Sequence, residues 1–279
     1  MIYKISVKTM QRGERFNITA DVIKRIVLFL LLLLWVNETV FSENQQVLNS
    51  RFHAIFYEKM GDQLYNTKEL PGSLIKAIAT YKKAAKYSHA ETDIYWKITR
   101  CYWVLATKQT EDPKKRNELY KKGIHYGELA VSKDSNNSNN YLWYALIIGS
   151  HSVDQGVMNT IYMRNRIKEN LETSIRLNPK NSNAILGLSA WYFHVPGFFG
   201  GDKKKAFELI DHAIKIDPYY SAVLMQKSEF LIQMEEFQNA ADTLKKLMQM
   251  TKCKFKNDTR EDKARAKLML KALEKKKIM

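Results

Sequence analysis

Three segments of the chain superpose without gaps: Ala130 to Asn137, Ser174 to Asn181 and Ala213 to Tyr220. Each starts on a small residue, continues with an apolar one and runs into a polar turn, which is how an amphipathic helix ends. Extending this register along the chain gives two series of positions. The earlier one is Ala77, Gly123, Ile167, Ala206 and Ala240, and the one seven residues later is Ala84, Ala130, Ser174, Ala213 and Leu247. Eight of the ten are Ala, Gly or Ser and the other two are apolar, so the same close helix contact is repeated. The pattern predicts helix pairs at 51–66 with 72–87, 91–107 with 113–133, 139–155 with 160–177, 182–194 with 202–217, and 219–233 with 236–250. A last helix near 260–276 is expected to cover the open end, with Ala264, Leu268 and Ala272 at four-residue steps as its apolar face.

A helix pair ending in a small residue, an apolar residue and Asn/Asp-Pro is the signature of the tetratricopeptide repeat. The predicted fold is therefore all-α, a solenoid of about five pairs with a C-terminal capping helix. The spacings of 46, 44, 39 and 34 exceed the repeat length of about 34 residues in the first three units. The extra residues are expected at Thr107 to Lys114, Ser150 to Met163 and His194 to Gly201, all on one edge of the solenoid. The predicted domains are residues 1–42, a signal peptide or anchor, then the solenoid at 43–250 and a basic capping helix or tail at 251–279.

The first of these rests on Lys24 and Arg25 followed by the apolar run Ile26 to Val36 and then Val40, Phe41 and Ser42. The run is shorter than the ~20 residues that span a bilayer, so it reads as a signal peptide cut after Ser42, with an uncleaved anchor as the alternative. Net charge is +16, and Lys252 to Met279 alone holds eleven basic and four acidic residues. Anionic partners are admitted by that balance, although lysines spread over many helices also make an ordinary solvated surface. Two cysteines, Cys101 and Cys253, supply neither a disulfide framework nor zinc spacing. No metal, cofactor or nucleic acid is expected.

Aromatic side chains crowd the first helices, among them Trp96, Trp103, Trp143, Tyr144, Trp191 and Tyr192. First helices line the concave face of such solenoids, so Trp143, Tyr144, Trp191, Tyr192 and His194 are candidates for a binding groove. Phe198 and Phe199 sit in the turn between Pro196 and Gly200, Gly201 and Asp202. They form either an exposed contact spot or part of the core. Pro196 and the glycines are expected to shape the turn, and Asp202 to cap the next helix. His151, Asp154 and His194 lack the accompanying motifs of an enzyme, and no catalytic residue is assigned.

Three stretches carry a family resemblance: Tyr120 to Ala130, Ile167 to Pro179, and Pro196 with Gly200-Gly201-Asp202 leading into Lys205-Ala206. In these the chain resembles the T-component of tripartite ATP-independent periplasmic (TRAP) transporters. The resemblance implies a periplasmic adaptor for a solute-binding protein. It also allows a homotrimer and an apolar small ligand in the groove. The competing expectation is a cell-envelope scaffold held on anionic surfaces by its basic C-terminus.

Overall fold

The computed structural model describes residues 20–87 and 94–275. Among these residues there are eleven α-helices and no strand. The chain divides into two units, one up to Phe52 and one from His53 onward. In the first unit, the part of α1 (Ala20–Asn66) that carries Val27, Leu28, Phe29, Leu31, Leu32 and Trp35 leaves those side chains exposed. No helix among the described residues is long and apolar enough to cross a membrane.

In the second unit the end of α1 is followed by α2 (Ser73–Tyr87), and four further pairs succeed it. They are α3 (Ile94–Lys108) with α4 (Pro113–Lys133), α5 (Ser138–Asp154) with α6 (Val157–Leu177), α7 (Ser182–His194) with α8 (Lys203–Ile216), and α9 (Ser221–Gln233) with α10 (Phe237–Gln249). A last helix, α11 (Lys256–Lys275), packs on α9 and α10. The first helices α3, α5, α7 and α9 each touch the next, which is the lateral stacking of a solenoid. All ten positions of the small-residue series are buried. At Gly123 a Cβ would fall 2.1 Å from Ile147 Cδ1 and 2.9 Å from Tyr102 Cβ, so an added methyl group would have to displace side chains of both α5 and α3. The tetratricopeptide-type solenoid is the fold.

Two expectations of detail are corrected. The extra residues of the second and third units form no extended loops. They lengthen helices, since α4 and α6 each have 21 residues where α8 has 14 and α10 has 13. Only Gln109 to Asp112 and Gln155 with Gly156 remain between the helices of those units. The apolar face of α11 is also different. Ala264, Leu268 and Ala272 are exposed, while Ala266 and Leu273 are buried against Met225, Ala241, Leu244 and Leu247, and Thr259 is buried with its hydroxyl 3.2 Å from that of Ser221. Steps of four residues advance about 400° around a helix and drift off any one face. Steps of seven return to the same side, which is why Thr259, Ala266 and Leu273 share a face.

At the junctions between units, buried hydroxyls bind backbone across the helix ends. Ser138 and Ser174 each donate to the other's carbonyl at 2.8 Å, and Asn181 Nδ2 donates to Ser138 Oγ at 2.8 Å. Asn140 Nδ2 donates to the carbonyl of Asp134, just past the end of α4, and to that of Ala130, which also accepts from Asp134 N at 3.1 Å. Small polar residues at these positions thus serve close packing and bring a second donor to the helix-end carbonyls of Ala130 and Ser174.

Candidate functional site

The first-helix face of the second unit holds a cleft of about 860 Å³. Its floor comes from α3, where Trp96, Arg100 and Trp103 follow at i, i+4 and i+7 and therefore share one stripe. Trp143 and Leu146 of α5, Asn183 of α7 and Ala222 of α9 continue it. The end of α1 supplies Asp62 and Tyr65, and residues 254–258, with Glu261 and Asp262, close the opposite side.

The Arg100 guanidinium lies 3.6 Å from the Tyr65 ring centroid, with Trp96 at 4.9 Å and Trp143 at 5.9 Å. This aromatic surround holds it by cation–π attraction. Trp103 Nε1 donates to Ser150 Oγ at 2.9 Å, and its ring meets that of Trp143 edge-on. One turn away on α3, buried Lys97 donates to Glu58 Oε1 at 2.7 Å and to both carboxylate oxygens of Asp62 at 2.8 and 2.9 Å. Burial pushes the Tyr65 hydroxyl far above the ordinary phenol range, so it stays protonated. Cys101, behind this face, is buried, and its thiol is pushed up to about 12 by burial.

At the closing segment, Lys68 pairs with Asp258 at 2.6 Å, Lys108 with Glu261 at 3.8 Å, and Lys254 with Asp217. Ser221 Oγ donates to Asp262 Oδ2 at 2.6 Å. Burial is the largest influence on the Asp262 carboxyl and raises its pKa. A raised carboxylate pKa means that ionisation opposes folding above that pKa and has no effect below the unfolded value. Asp262→Asn keeps an acceptor for Ser221 and removes the ionisation. The variant is expected to melt above the wild type at about pH 7, with the difference vanishing near about pH 3, below the usual carboxylate range. Equal melting temperatures at both pH values would refute this.

Of the side chains selected from sequence, Trp143 alone lines the cleft. Tyr144, Trp191 and Tyr192 are buried between helices, a correction to their placement in a groove. First helices are covered on two sides, by their own partner and by the next unit, so most of their aromatics are consumed in packing. Tyr144 donates to Glu128 Oε1 at 3.1 Å and Trp191 Nε1 to the Arg164 carbonyl at 2.8 Å. His194 lies at the end of α7 with its ring edge-on to Phe230. Phe198 is 82% exposed, whereas Phe199 is half-buried with Arg164 over its ring. Pro196 begins the turn, Gly200 takes φ +99°, and Asp202 caps α8 by accepting from Lys205 N at 3.0 Å. His151 bonds Asn117 at 2.9 Å, and Asp154 pairs with Arg116, so the two do not form an acid/base couple. Among the described residues, no group of three or more His, Cys, Asp or Glu side chains could hold a metal ion.

Sequence reasoning passed over Lys97, Arg100 and the acidic residues of 258–262. The available signal was the Trp96, Arg100, Trp103 stripe, in which a cation occupies a position between two tryptophans on one face.

The family model "Regulator of microtubule dynamics protein 1-3" matches residues 58–198, which include the floor of the cleft on α3 and α5. The chain belongs to this family. Regulator of microtubule dynamics protein 3 of Rattus norvegicus is 24% identical over 146 residues, 52% of this chain and 30% of that protein. Regulator of microtubule dynamics protein 1 of Bos taurus is 24% identical over 137 residues, 49% of this chain and 41% of that protein. The chain thus spans less than half the length of the relatives it matches. Among solved structures, a thermophilic TPR protein of Thermus thermophilus aligns with a TM-score of 0.59 at 15% identity, over 77% of this chain and 99% of that one. That likeness concerns the fold.

Membership of the regulator of microtubule dynamics family overturns the TRAP T-component resemblance. With it go the solute-binding-protein adaptor, the apolar ligand and the envelope scaffold. The relatives include proteins of rat and cattle, whose cells have no periplasm, so the periplasmic destination and the export reading of residues 1–42 are corrected as well. The start of that segment lies outside the described residues, and α1 runs unbroken through Ser42. The shared stretches Tyr120 to Ala130 and Ile167 to Pro179 are second helices of repeats. Their small residues answer to helix packing, which unrelated repeat proteins share.

Proposed function

We propose that this chain is a non-enzymatic protein-binding module that acts in the regulation of microtubule dynamics, the task for which its relatives are named, by holding a protein partner on its first-helix face. The observation that carries this reading is the position of the family match: residues 58–198 contribute Asp62, Tyr65, Trp96, Arg100, Trp103 and Trp143 to one cleft. Solenoids bind by such a face, because successive first helices present a continuous surface to an extended ligand. The net charge of +16 favours an acidic partner surface through long-range attraction.

Co-sedimentation of the full chain with purified, stabilised microtubules tests the reading, together with the rate of tubulin polymerisation at low and moderate salt. Binding that weakens with salt, or a changed polymerisation rate, is the expected result. A chain that stays in the supernatant and leaves polymerisation unchanged at every salt concentration would end this proposal.

A further inference from the structure

Among the described residues, the cations around the cleft are not treated alike. Lys68, Lys97 and Lys108 each have a carboxylate partner. Arg100 has none. It makes cation–π contacts with Tyr65, Trp96 and Trp143, but no hydrogen bond or ion pair, and its buried Nε lacks an acceptor. The buried Trp96 Nε1 beside it is also without one. Guanidinium stays charged at any working pH and presents a planar fork of donors that matches a carboxylate. Stacking on Tyr65 fixes that plane before any ligand arrives, which reduces the ordering required on binding.

From this we propose that the cleft binds an acidic peptide segment of a protein partner, with one of its carboxylates seated on Arg100 and a neighbouring apolar side chain against Trp103 and Trp143. This specifies the ligand of the protein-binding reading above and rests on it. The molecule itself shows the chemistry that the cleft accepts: Asp258 and Glu261, from its own closing segment, already pair with Lys68 and Lys108 at the rim. Deeper on the floor, Arg100 offers the same kind of contact with no internal acid to take it. A small carboxylate or phosphate alone would fill little of the roughly 860 Å³, whereas the trough crosses four first helices and suits an extended chain. Ten of the 22 lining residues are charged, which disfavours an acyl chain along the same surface.

The test is a fluorescence-anisotropy titration of the full chain with a fluorescein-labelled peptide of alternating glutamate and phenylalanine. A peptide with glutamine at every glutamate serves as the control. The acidic peptide is expected to bind at least about tenfold more tightly than the glutamine peptide, a comparison that needs no variant. Arg100→Gln is expected to lose about tenfold in affinity for the acidic peptide, and Arg100→Lys to recover only part, because an ammonium lacks the fork. Equal binding of the two peptides would overturn the proposal. So would undiminished binding by a folded Arg100→Gln variant, or displacement of the peptide by phosphatidylserine vesicles together with vesicle binding that Arg100→Gln abolishes. The microtubule assay separates the two readings: peptide binding without co-sedimentation sinks the regulatory role alone, and co-sedimentation without peptide discrimination sinks the Arg100 site alone.

Discussion

Gly201→Ala is expected to destabilise the protein by about 3 kcal/mol, near the upper end for overpacking. Between α7 and α8 the chain reverses through a 3-10 turn at Gly197–Phe199. Both Phe199 N and Gly201 N donate to the Pro196 carbonyl, and Asp202 N reaches back to Tyr192 O at 2.8 Å. These bonds press Gly201 against the last turn of α7, where an added Cβ would stand 1.6 Å from Val195 O and 2.6 Å from its carbonyl carbon. No rotamer relieves a clash with backbone. The turn has to open, giving up the bond to Tyr192 and the Asp202 cap of α8 together. The two other glycines of the turn grade the effect. Gly200 sits at φ +99°, so alanine there costs about 1 kcal/mol of left-handed strain, and Gly197 has nothing within 4 Å of an added Cβ and should be neutral. Thermal melts should fall in the order Gly197→Ala, Gly200→Ala, Gly201→Ala, with the last down by roughly 10 °C for a unit of this size. Indistinguishable melts for the three variants would refute the account.

The contrast between this turn and the cleft explains how much of the molecule could be read from sequence. Pro196, the paired glycines and Asp202 declare a turn and a cap by backbone chemistry that each residue carries with it. The small residues from Ala77 to Leu247 declare a repeat because close helix contact admits little else. Both kinds of signal are local or periodic, and the helix pairs they predict match the observed ones within a few residues, except that the helix expected at 51–66 is the end of α1, which begins at Ala20. The cleft depends on neither. Tyr65 and Arg100 lie 35 positions apart in the sequence, and Lys68 and Asp258 lie 190 apart, so their meeting is set by how the units stack. Sequence placed Trp143, Tyr144, Trp191 and Tyr192 together as groove residues because aromatic content cannot tell the packed side of a helix from its open side. The TRAP T-component resemblance fails for a related reason. The motifs used were those that the fold demands, and residues demanded by the fold do not distinguish what the fold is used for.

Replacing Lys97 should be nearly as damaging as filling Gly201, by a different physical route. Lys97 is 8% exposed, and its ammonium holds Glu58 and Asp62 of α1 against α3. Asp62 Oδ1 also accepts from the Tyr81 hydroxyl at 2.7 Å, which brings α2 into the cluster. Gly61 allows that ring to lie against α1, since a Cβ there would be 2.5 Å from Tyr81 Cε1. Lys97→Met preserves the buried aliphatic stem and removes only the charge. Two carboxylates four residues apart on one face of α1 are then left with no cation between them. Removing one partner of a fully buried pair costs ~3–5 kcal/mol, but the Glu58 and Asp62 side chains keep 29% and 40% exposure, so water takes up part of the loss. The expected destabilisation is about 2 kcal/mol, a fall of roughly 6 °C in melting temperature. The variant Glu58→Gln/Asp62→Asn/Lys97→Met should recover most of it, because the amide oxygen that Asp62→Asn leaves in place still accepts from Tyr81 and no unpaired charge remains. A double-mutant cycle between Lys97→Met and Asp62→Asn should give a coupling of about 1–2 kcal/mol. If Lys97→Met melts with the wild type, or if neutralising both acids deepens its loss, then the ammonium is not what joins the first three helices.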